Sequence, residues 1–170
     1  MKTIAIVQAR MGSTRFPNKV MQLVGNGIPM IEVLFSRLSR AKSIDQIVLA
    51  TSTNPNNDAL SEHMANLGYI VYRGSEDDVL DRYYKTAREQ KADVVVRITG
   101  DCPLIDPVLV DEVVTLYKKG NVDYSSNINP PTYPDGLDVE VFSFSSLEKS
   151  WKNATKSQHR EHVTLFIRDS

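Results

Sequence analysis

Four short runs rich in valine and isoleucine alternate with longer amphipathic stretches, and this alternation most limits what the chain can fold into. The runs are TIAIV (3–7), QIVLAT (46–51), YIVY (69–72) and DVVVRI (93–98). Because they show little polar alternation, they are typical of strands covered on both faces of a largely parallel sheet. Strands that alternate with helices in this way predict an α/β domain with right-handed crossovers.

The stretches between these runs carry helix signals. Predicted helices cover 30–41, 58–68, 77–90 and 107–119. In the first, apolar residues recur at the spacing of one helix face. Gly68 lies where a helix C-terminal glycine belongs, and Asp106 before Pro107 predicts an N-cap followed by proline in the first turn. Ser75 is a candidate cap for the helix over 77–90.

The pattern loosens after Gly120. Residues 125–138 are rich in proline, asparagine and glycine and predict a long loop. A strand is predicted over 139–144, followed by helices around 145–151 and 159–168. The length of 170 residues fits a single domain over 1–170.

Composition limits the partners. The net charge of −1 argues against a general nucleic-acid or membrane-surface binder, so we expect neither as a partner. No apolar run approaches the ~18 residues of a membrane span. Cys102 is the single cysteine, so no internal disulfide can form, which suits a reducing cytoplasm; we expect its side chain to be small and buried.

Ligand sites in open α/β sheets lie beyond the carboxyl ends of the strands. After the first predicted strand comes a cationic loop (residues 9–19), which contains Arg10, Arg15 and Lys19 and no acid. Gly12 allows close backbone approach, and Ser13 adds a hydroxyl donor. Arginine binds phosphate in a bidentate manner and lysine supplies a compact charge. The loop is therefore either an anion site or a solvated basic surface, and its sequence alone leaves both open.

The segment TGDCPLIDP (99–107) follows the fourth predicted strand, at the same end of the sheet. Gly100 is expected to allow a tight turn that leaves the Asp101 carboxylate at the mouth of the site. A carboxylate repels a polyphosphate unless a metal lies between them, and Mg²⁺ commonly binds one or two carboxylates plus substrate phosphates. Alone, Asp101 is better explained as a turn or cap residue. Together with the cationic loop, it predicts a metal–triphosphate site.

The segment RGSEDD (73–78) follows the third predicted strand. Its acids suit a helix N-terminus, where negative charge is favoured. This structural explanation leaves Arg73 and Gly74 unassigned, and we expect them to face the ligand.

Five motifs together resemble the acylneuraminate cytidylyltransferase-like family: QARMGSTRFPNKVM, RGSEDDVLDRY, TGDCPLIDP, PDGLDVEVFS and REHVT. The branch they resemble most is the spore-coat polysaccharide biosynthesis protein F type, and more distantly the enzymes that activate 3-deoxy-manno-octulosonate and sialic acid. The resemblance implies a three-layer nucleotide-diphospho-sugar transferase-like domain with a mostly parallel, Rossmann-like sheet. It also implies that a sugar hydroxyl attacks the α-phosphate of CTP, giving a CMP-sugar and pyrophosphate.

The resemblance assigns roles position by position. It implies that the triphosphate is held by Arg10, Ser13, Arg15 and Lys19, that the base lies near Gln8, Ala9, Arg73 and Ser75, and that Gly12 and Thr99 complete the nucleotide site. It makes Asp101 the Mg²⁺ ligand, and Arg10, Lys19 and Asp101 the catalytic set. It places Asp135, Asp138, Glu140, Glu161 and His162 toward the sugar, the last two alternatively at a subunit contact.

The resemblance also implies a homodimer that pairs through the late segment. Relatives usually continue for several tens of residues, to a second metal-binding aspartate, whereas this chain stops at Ser170. We therefore expect it to lack the C-terminal end of the family's full domain. Two alternatives stay open: a nucleotide-binding module without turnover, and the same fold using another nucleotide such as GTP.

Overall fold

The computed structural model describes residues 1–12 and 16–169, and a six-stranded sheet forms its centre. The strands are β1 (Thr3–Gln8), β2 (Leu23–Val24), β3 (Ile28–Pro29), β4 (Gln46–Ser52), β5 (Ile70–Gly74), β6 (Val94–Thr99), β7 (Tyr124–Ser126) and β8 (Glu140–Ser143). The central sheet has the order β5-β4-β1-β6-β8-β7. Its first four strands are parallel, whereas β8 is antiparallel to both β6 and β7. Strands β2 and β3 form a separate hairpin.

Helices cover both faces of the central sheet. They are α1 (Met30–Leu38), α2 (Asp58–Asn66), α3 (Val79–Glu89), α4 (Pro107–Gly120), α5 (Phe144–Asn153), α6 (Ser157–Glu161) and α7 (Leu165–Arg168). Ala5 and Val7 of β1 pack in one core cluster with residues of α1, α2 and α4. Ile4 and Ile6 pack in a second cluster with residues of α3 and α5. Alternate side chains of β1 thus pack on opposite faces of the sheet. Because helices cover both faces, the predicted three-layer α/β architecture is confirmed.

Several local predictions are confirmed. The four valine- and isoleucine-rich runs form β1, β4, β5 and β6. Gly68 follows α2 with a φ of 85°, a conformation that favours glycine. The Asp106 side chain accepts a hydrogen bond from Val108 N at 2.9 Å and caps α4. Cys102 is buried.

Other local predictions are wrong. The cap of α3 is Asp78, whose carboxylate accepts from Asp81 N at 2.9 Å, rather than Ser75. The single helix predicted over 159–168 is two short helices, because His162 adopts a non-helical backbone conformation between them. The hairpin of β2 and β3 was not predicted, and β7 begins at Tyr124 and extends into the start of the predicted loop over 125–138. Within the described residues, no helix is both long and apolar enough to cross a bilayer.

The later strands are added on both sides of β1. Strands β4 and β5 lie on one side of it, and β6, β8 and β7 lie on the other. Gln8 pairs with Thr99 where β1 and β6 end. Gly100 follows directly and donates its N–H to the Gln8 carbonyl at 2.8 Å. A Cβ on Gly100 would lie 2.6 Å from the Ala9 Cβ, so close approach of the two chain segments requires glycine here. The predicted tight turn is confirmed, because Gly100 and Asp101 form a turn in which Cys102 N donates to the Thr99 carbonyl at 3.2 Å. The close approach of Gly100 to Ala9 additionally joins the loops after β1 and β6 where they begin.

Candidate active site

A cavity of about 330 Å³ opens at the carboxyl ends of β1 and β6, the crevice where open α/β sheets bind ligands. It brings together nine of the predicted site residues: Gln8, Ala9, Arg10, Gly12, Lys19, Thr99, Asp101, Glu161 and His162. Ser13 and Arg15 were also predicted and lie outside the described residues. The cationic loop, the end of β6 and the segment after α6 therefore border one space.

Lys19 and Asp101 form an ion pair, the mouth pair, with 2.7 Å between Lys19 Nζ and Asp101 Oδ2. Their side chains are 29% and 48% exposed. Burial alone would raise the pKa of Asp101, but hydrogen bonds from Lys19 and Thr99 outweigh it and lower that pKa below its ordinary value. Asp101 is thus an ionised carboxylate beside a cation, accessible to solvent and to a ligand.

Arg10 is also paired with a carboxylate. Its Nη1 lies 3.0 Å from Glu76 Oε1, and Glu76 accepts a second hydrogen bond, from Ser52 Oγ. Burial would raise the pKa of Glu76, but the hydrogen bonds from Ser52 and Arg10 lower it below its ordinary value. Both described cations of the cationic loop therefore face carboxylates, so an incoming phosphate would exchange with these partners.

A more deeply placed ion pair, the floor pair, joins Arg97 of β6 to Glu140 of β8. Arg97 lines the cavity and also reaches Gln8 Oε1 at 3.3 Å. The Glu140 side chain is only 3% exposed, and it accepts further hydrogen bonds from Tyr124 at 2.8 Å and Thr164 at 2.6 Å. The Glu140 carboxylate is therefore buried and occupied by protein donors, which does not support its predicted contact with a sugar, and that role stays a prediction.

Burial would raise the pKa of Glu140, but the Arg97 charge and the hydrogen bonds from Thr164 and Tyr124 outweigh it. The pKa is lowered below its ordinary value, so Glu140 stays ionised and holds Arg97 in place.

Two of the four residues predicted to lie near the base, Arg73 and Ser75, do not line this cavity. Arg73 donates to the carbonyls of Ser52 and Asn54 at 3.0 and 3.1 Å and pairs with Asp58 at 2.6 Å. Ser75 Oγ accepts from Asp78 N at 3.0 Å. Both side chains hold loops together in this structure, and the role of Arg73 toward the ligand stays a prediction.

Asp135 and Asp138 also lie outside the cavity lining. Asp135 is exposed and Asp138 is partly buried. Burial raises the pKa of Asp138, and the charges of Asp135, Glu140 and Asp101 raise it further. Asp138 is thus a carboxylate in an acidic surrounding near the mouth pair.

Sequence reasoning missed two arginines that line the cavity, Arg82 and Arg97. Arg82 is 1% exposed and donates to the carbonyls of Ser75 and Glu76. Its burial lowers its pKa. The signal was available for both: Arg97 interrupts an otherwise apolar run, and Arg82 follows Val79 by three residues on the buried face of α3.

The residues at the mouth fit a metal shared with a substrate. Within residues 1–12 and 16–169, no three histidine, cysteine or acidic side chains are grouped to hold an ion by themselves. Asp101 offers an ionised, accessible carboxylate next to cations suited to phosphate. That arrangement matches Mg²⁺ bound by one or two carboxylates plus phosphate oxygens and water.

Comparison with known proteins agrees with this arrangement. The family model for cytidylyltransferases matches residues 4–170. An uncharacterised protein of Methanocaldococcus jannaschii is 46% identical over 167 residues, 98% of this chain and 67% of that protein. The spore coat polysaccharide biosynthesis protein SpsF of Bacillus subtilis is 38% identical over 169 residues, 96% of this chain and 69% of that protein.

A solved cytidylyltransferase structure from Leptospira borgpetersenii serovar Hardjo-bovis (strain JB197) superposes with a TM-score of 0.93 at 34% identity. It covers 100% of this chain and 72% of that one. The resemblance drawn from the five motifs is confirmed: the chain belongs to the cytidylyltransferase family of nucleotidyltransferases.

Proposed function

We propose that this protein is an Mg²⁺-dependent cytidylyltransferase that transfers CMP from CTP to a hydroxyl of an acidic or surface-polysaccharide sugar. The mouth pair carries the proposal: a lysine and an ionised aspartate, both accessible, border the same cavity as Arg10. A cation for phosphate and a carboxylate for a metal are the two components that nucleotidyl transfer needs side by side.

The reaction forms one bond and breaks one bond at the α-phosphorus. The sugar hydroxyl loses its proton to solvent as its oxygen attacks, the bond from the α-phosphorus to the oxygen that bridges to the β-phosphate breaks, and pyrophosphate leaves with the electron pair. Arg10 and Lys19 exchange their carboxylate partners for β- and γ-phosphate oxygens and so neutralise the leaving group. Asp101, once Lys19 has turned to the phosphates, would be the residue that holds Mg²⁺, and the metal would supply positive charge against the phosphates.

The sugar and the base occupy opposite parts of the proposed site. Gln8 and Ala9 border the base, as the family resemblance implies. Glu161, the last residue of α6, and His162, which follows it, line the cavity, and this supports a position near the sugar. The role in polysaccharide biosynthesis that SpsF carries in its name supports a sugar acceptor.

Pyrophosphate release tests the proposal. We expect release from CTP and Mg²⁺ with at least one acidic sugar, tested across 3-deoxy-manno-octulosonate, sialic acid and neutral sugars, and slower release with ATP, GTP or UTP. CTP binding without release under any condition would contradict turnover and favour a nucleotide-binding module. Faster release with another nucleotide would contradict the base assignment.

We further propose that the protein is a cytoplasmic homodimer paired through the late segment, residues 134–164, as the family resemblance implies. Sedimentation velocity at tens of micromolar is expected to give a dimer. A monomer throughout that range would contradict this.

A further inference from the structure

Asn57 lies where an asparagine usually caps a helix, yet it does something else. It occupies the N-cap position of α2, where such a side chain normally accepts from the helix's own first turn. Its side chain makes no such bond. Its Oδ1 instead accepts a hydrogen bond from Met11 N in the cationic loop, at 2.8 Å and across 46 residues of sequence.

The other end of the same amide reaches two further loops. Asn57 Nδ2 donates to Ser52 Oγ at 2.7 Å and lies 3.5 Å from Glu76 Oε2. Ser52 in turn donates to Glu76, whose second oxygen holds Arg10 at 3.0 Å. One side chain thus connects the loops after β1, β4 and β5.

Burial makes this connection rigid. Asn57 is 1% exposed, and Ser52 is fully buried, so water does not compete for their hydrogen bonds. The Met11 carbonyl is bonded as well, to Asn18 N at 3.0 Å. Both backbone groups of Met11 are therefore fixed, directly beside Arg10.

We propose that Asn57 is a positioning residue for nucleotide binding, setting the backbone of the cationic loop at Met11 and, through Ser52 and Glu76, the location of the Arg10 guanidinium. The proposal rests on the proposed function where it concerns CTP, whereas its structural part concerns the protein alone. Preorganised cations bind a ligand with less loss of conformational entropy, so loosening this network weakens binding.

The test combines amide hydrogen exchange with calorimetry on three variants. Asn57→Ala removes both ends of the connection, and Asn57→Asp keeps an acceptor for Met11 but places a second carboxylate against Glu76. Asn54→Ala is the matched control: it removes the 3.0 Å bond that the Asn54 side chain accepts from Asn56 N in the same loop. It keeps the bond from the Asn54 backbone N–H to Ser52 Oγ at 3.1 Å, which does not involve the side chain.

In Asn57→Ala we expect the Met11 amide to exchange at least ~10-fold faster, and by a larger factor than the amides of β1. Asn57→Asp restores the Met11 protection but not the Arg10 placement. Both weaken CTP binding by ~10-fold, about 1.4 kcal/mol. Asn54→Ala leaves Met11 exchange and CTP affinity at their parent values.

The proposal is overturned if Met11 exchange in Asn57→Ala rises no more than that of β1, since Asn57 would then be only a fold-stabilising residue. Unchanged CTP affinity in both Asn57 variants overturns it equally. If Asn57→Ala does not fold, the affinity of Asn57→Asp decides. A parent protein that binds no CTP contradicts the proposed function instead, and the exchange result still decides the structural role.

Discussion

The mouth and the floor of the cavity hold their charges differently. At the mouth, Lys19 and Asp101 are 29% and 48% exposed and bind mainly each other. At the floor, Arg97 and Glu140 are 17% and 3% exposed, and Glu140 has two further donors. The same chemical pair, a cation with a carboxylate, is exchangeable in one place and fixed in the other.

This difference shows that burial, rather than residue type, determines whether an ion pair of this cavity can exchange its partners. An exposed ion pair contributes ~0–1 kcal/mol and loses little when its partners change. A buried pair is costly to break, because the remaining charge cannot be solvated. The mouth pair suits ligand exchange, and the floor pair suits support of the cavity wall.

The largest expected effect is at the floor. Glu140→Ala leaves the Arg97 guanidinium without its carboxylate and should destabilise the protein by ~3–5 kcal/mol, measured by urea unfolding. Glu140→Gln is the control, since its one amide oxygen can still accept from both Tyr124 and Thr164, which bond to the same oxygen of Glu140, and it should lose less. If the free energy of unfolding of the alanine variant lies within ~1 kcal/mol of the parent's, the floor pair behaves like an exposed ion pair, and the proposed difference between floor and mouth is contradicted.

The next effect is at the mouth and appears in turnover. Asp101→Asn keeps the shape of the side chain and removes its charge. We expect pyrophosphate release to fall by at least ~10²-fold, about 2.7 kcal/mol, with little change in melting temperature. A variant that melts early but keeps parent turnover would make Asp101 a structural residue.

Arg10→Ala and Lys19→Ala should each weaken CTP binding by ~1.5–3 kcal/mol, the scale of charge-assisted hydrogen bonds. Titration calorimetry measures this, and Lys118→Ala at the end of α4 serves as a control for net charge. Unchanged CTP affinity in both variants would contradict the proposal that the cationic loop binds phosphate.

The smallest effect concerns acid stability. Because the pKa of Glu140 is lowered in the folded protein, its contribution is complete above the ordinary glutamate pKa. It is lost as the pH falls through the lower pKa of the folded state. Urea unfolding across this range should show a steeper loss in the parent than in Glu140→Gln, and equal slopes would contradict the lowered pKa.

Local patterns predicted the parallel half of the sheet. Apolar runs such as DVVVRI identify strands covered on both faces, and strand order then places their loops at one end. The predicted site residues of TGDCPLIDP and those of the cationic loop that the structure describes line one cavity for this reason. Strand β7 was missed because its three residues, YSS, carry no strand pattern.

Such local patterns could not predict which residues far apart in sequence would pair with each other. VEVFSF predicted β8, but no local signal showed that Glu140 would meet Arg97, 43 residues away. Lys19 and Asp101 are 82 residues apart, and each looked like a ligand contact rather than a pair. The partner that a residue meets in the folded protein determines how deeply both are buried. Burial in turn distinguishes the supporting pair, Arg97 and Glu140, from the exchangeable pair, Lys19 and Asp101.

The central claim is that the mouth pair exchanges partners when CTP and Mg²⁺ bind, and CTP titration with and without Mg²⁺ tests it most directly. For the parent we expect Mg²⁺ to tighten CTP binding. For Asp101→Asn we expect CTP affinity to be independent of Mg²⁺, and metal-free affinity to equal or slightly exceed that of the parent, because a repulsive charge is gone. An Asp101→Asn protein that responds to Mg²⁺ as the parent does would show that the metal is held elsewhere and contradict the account.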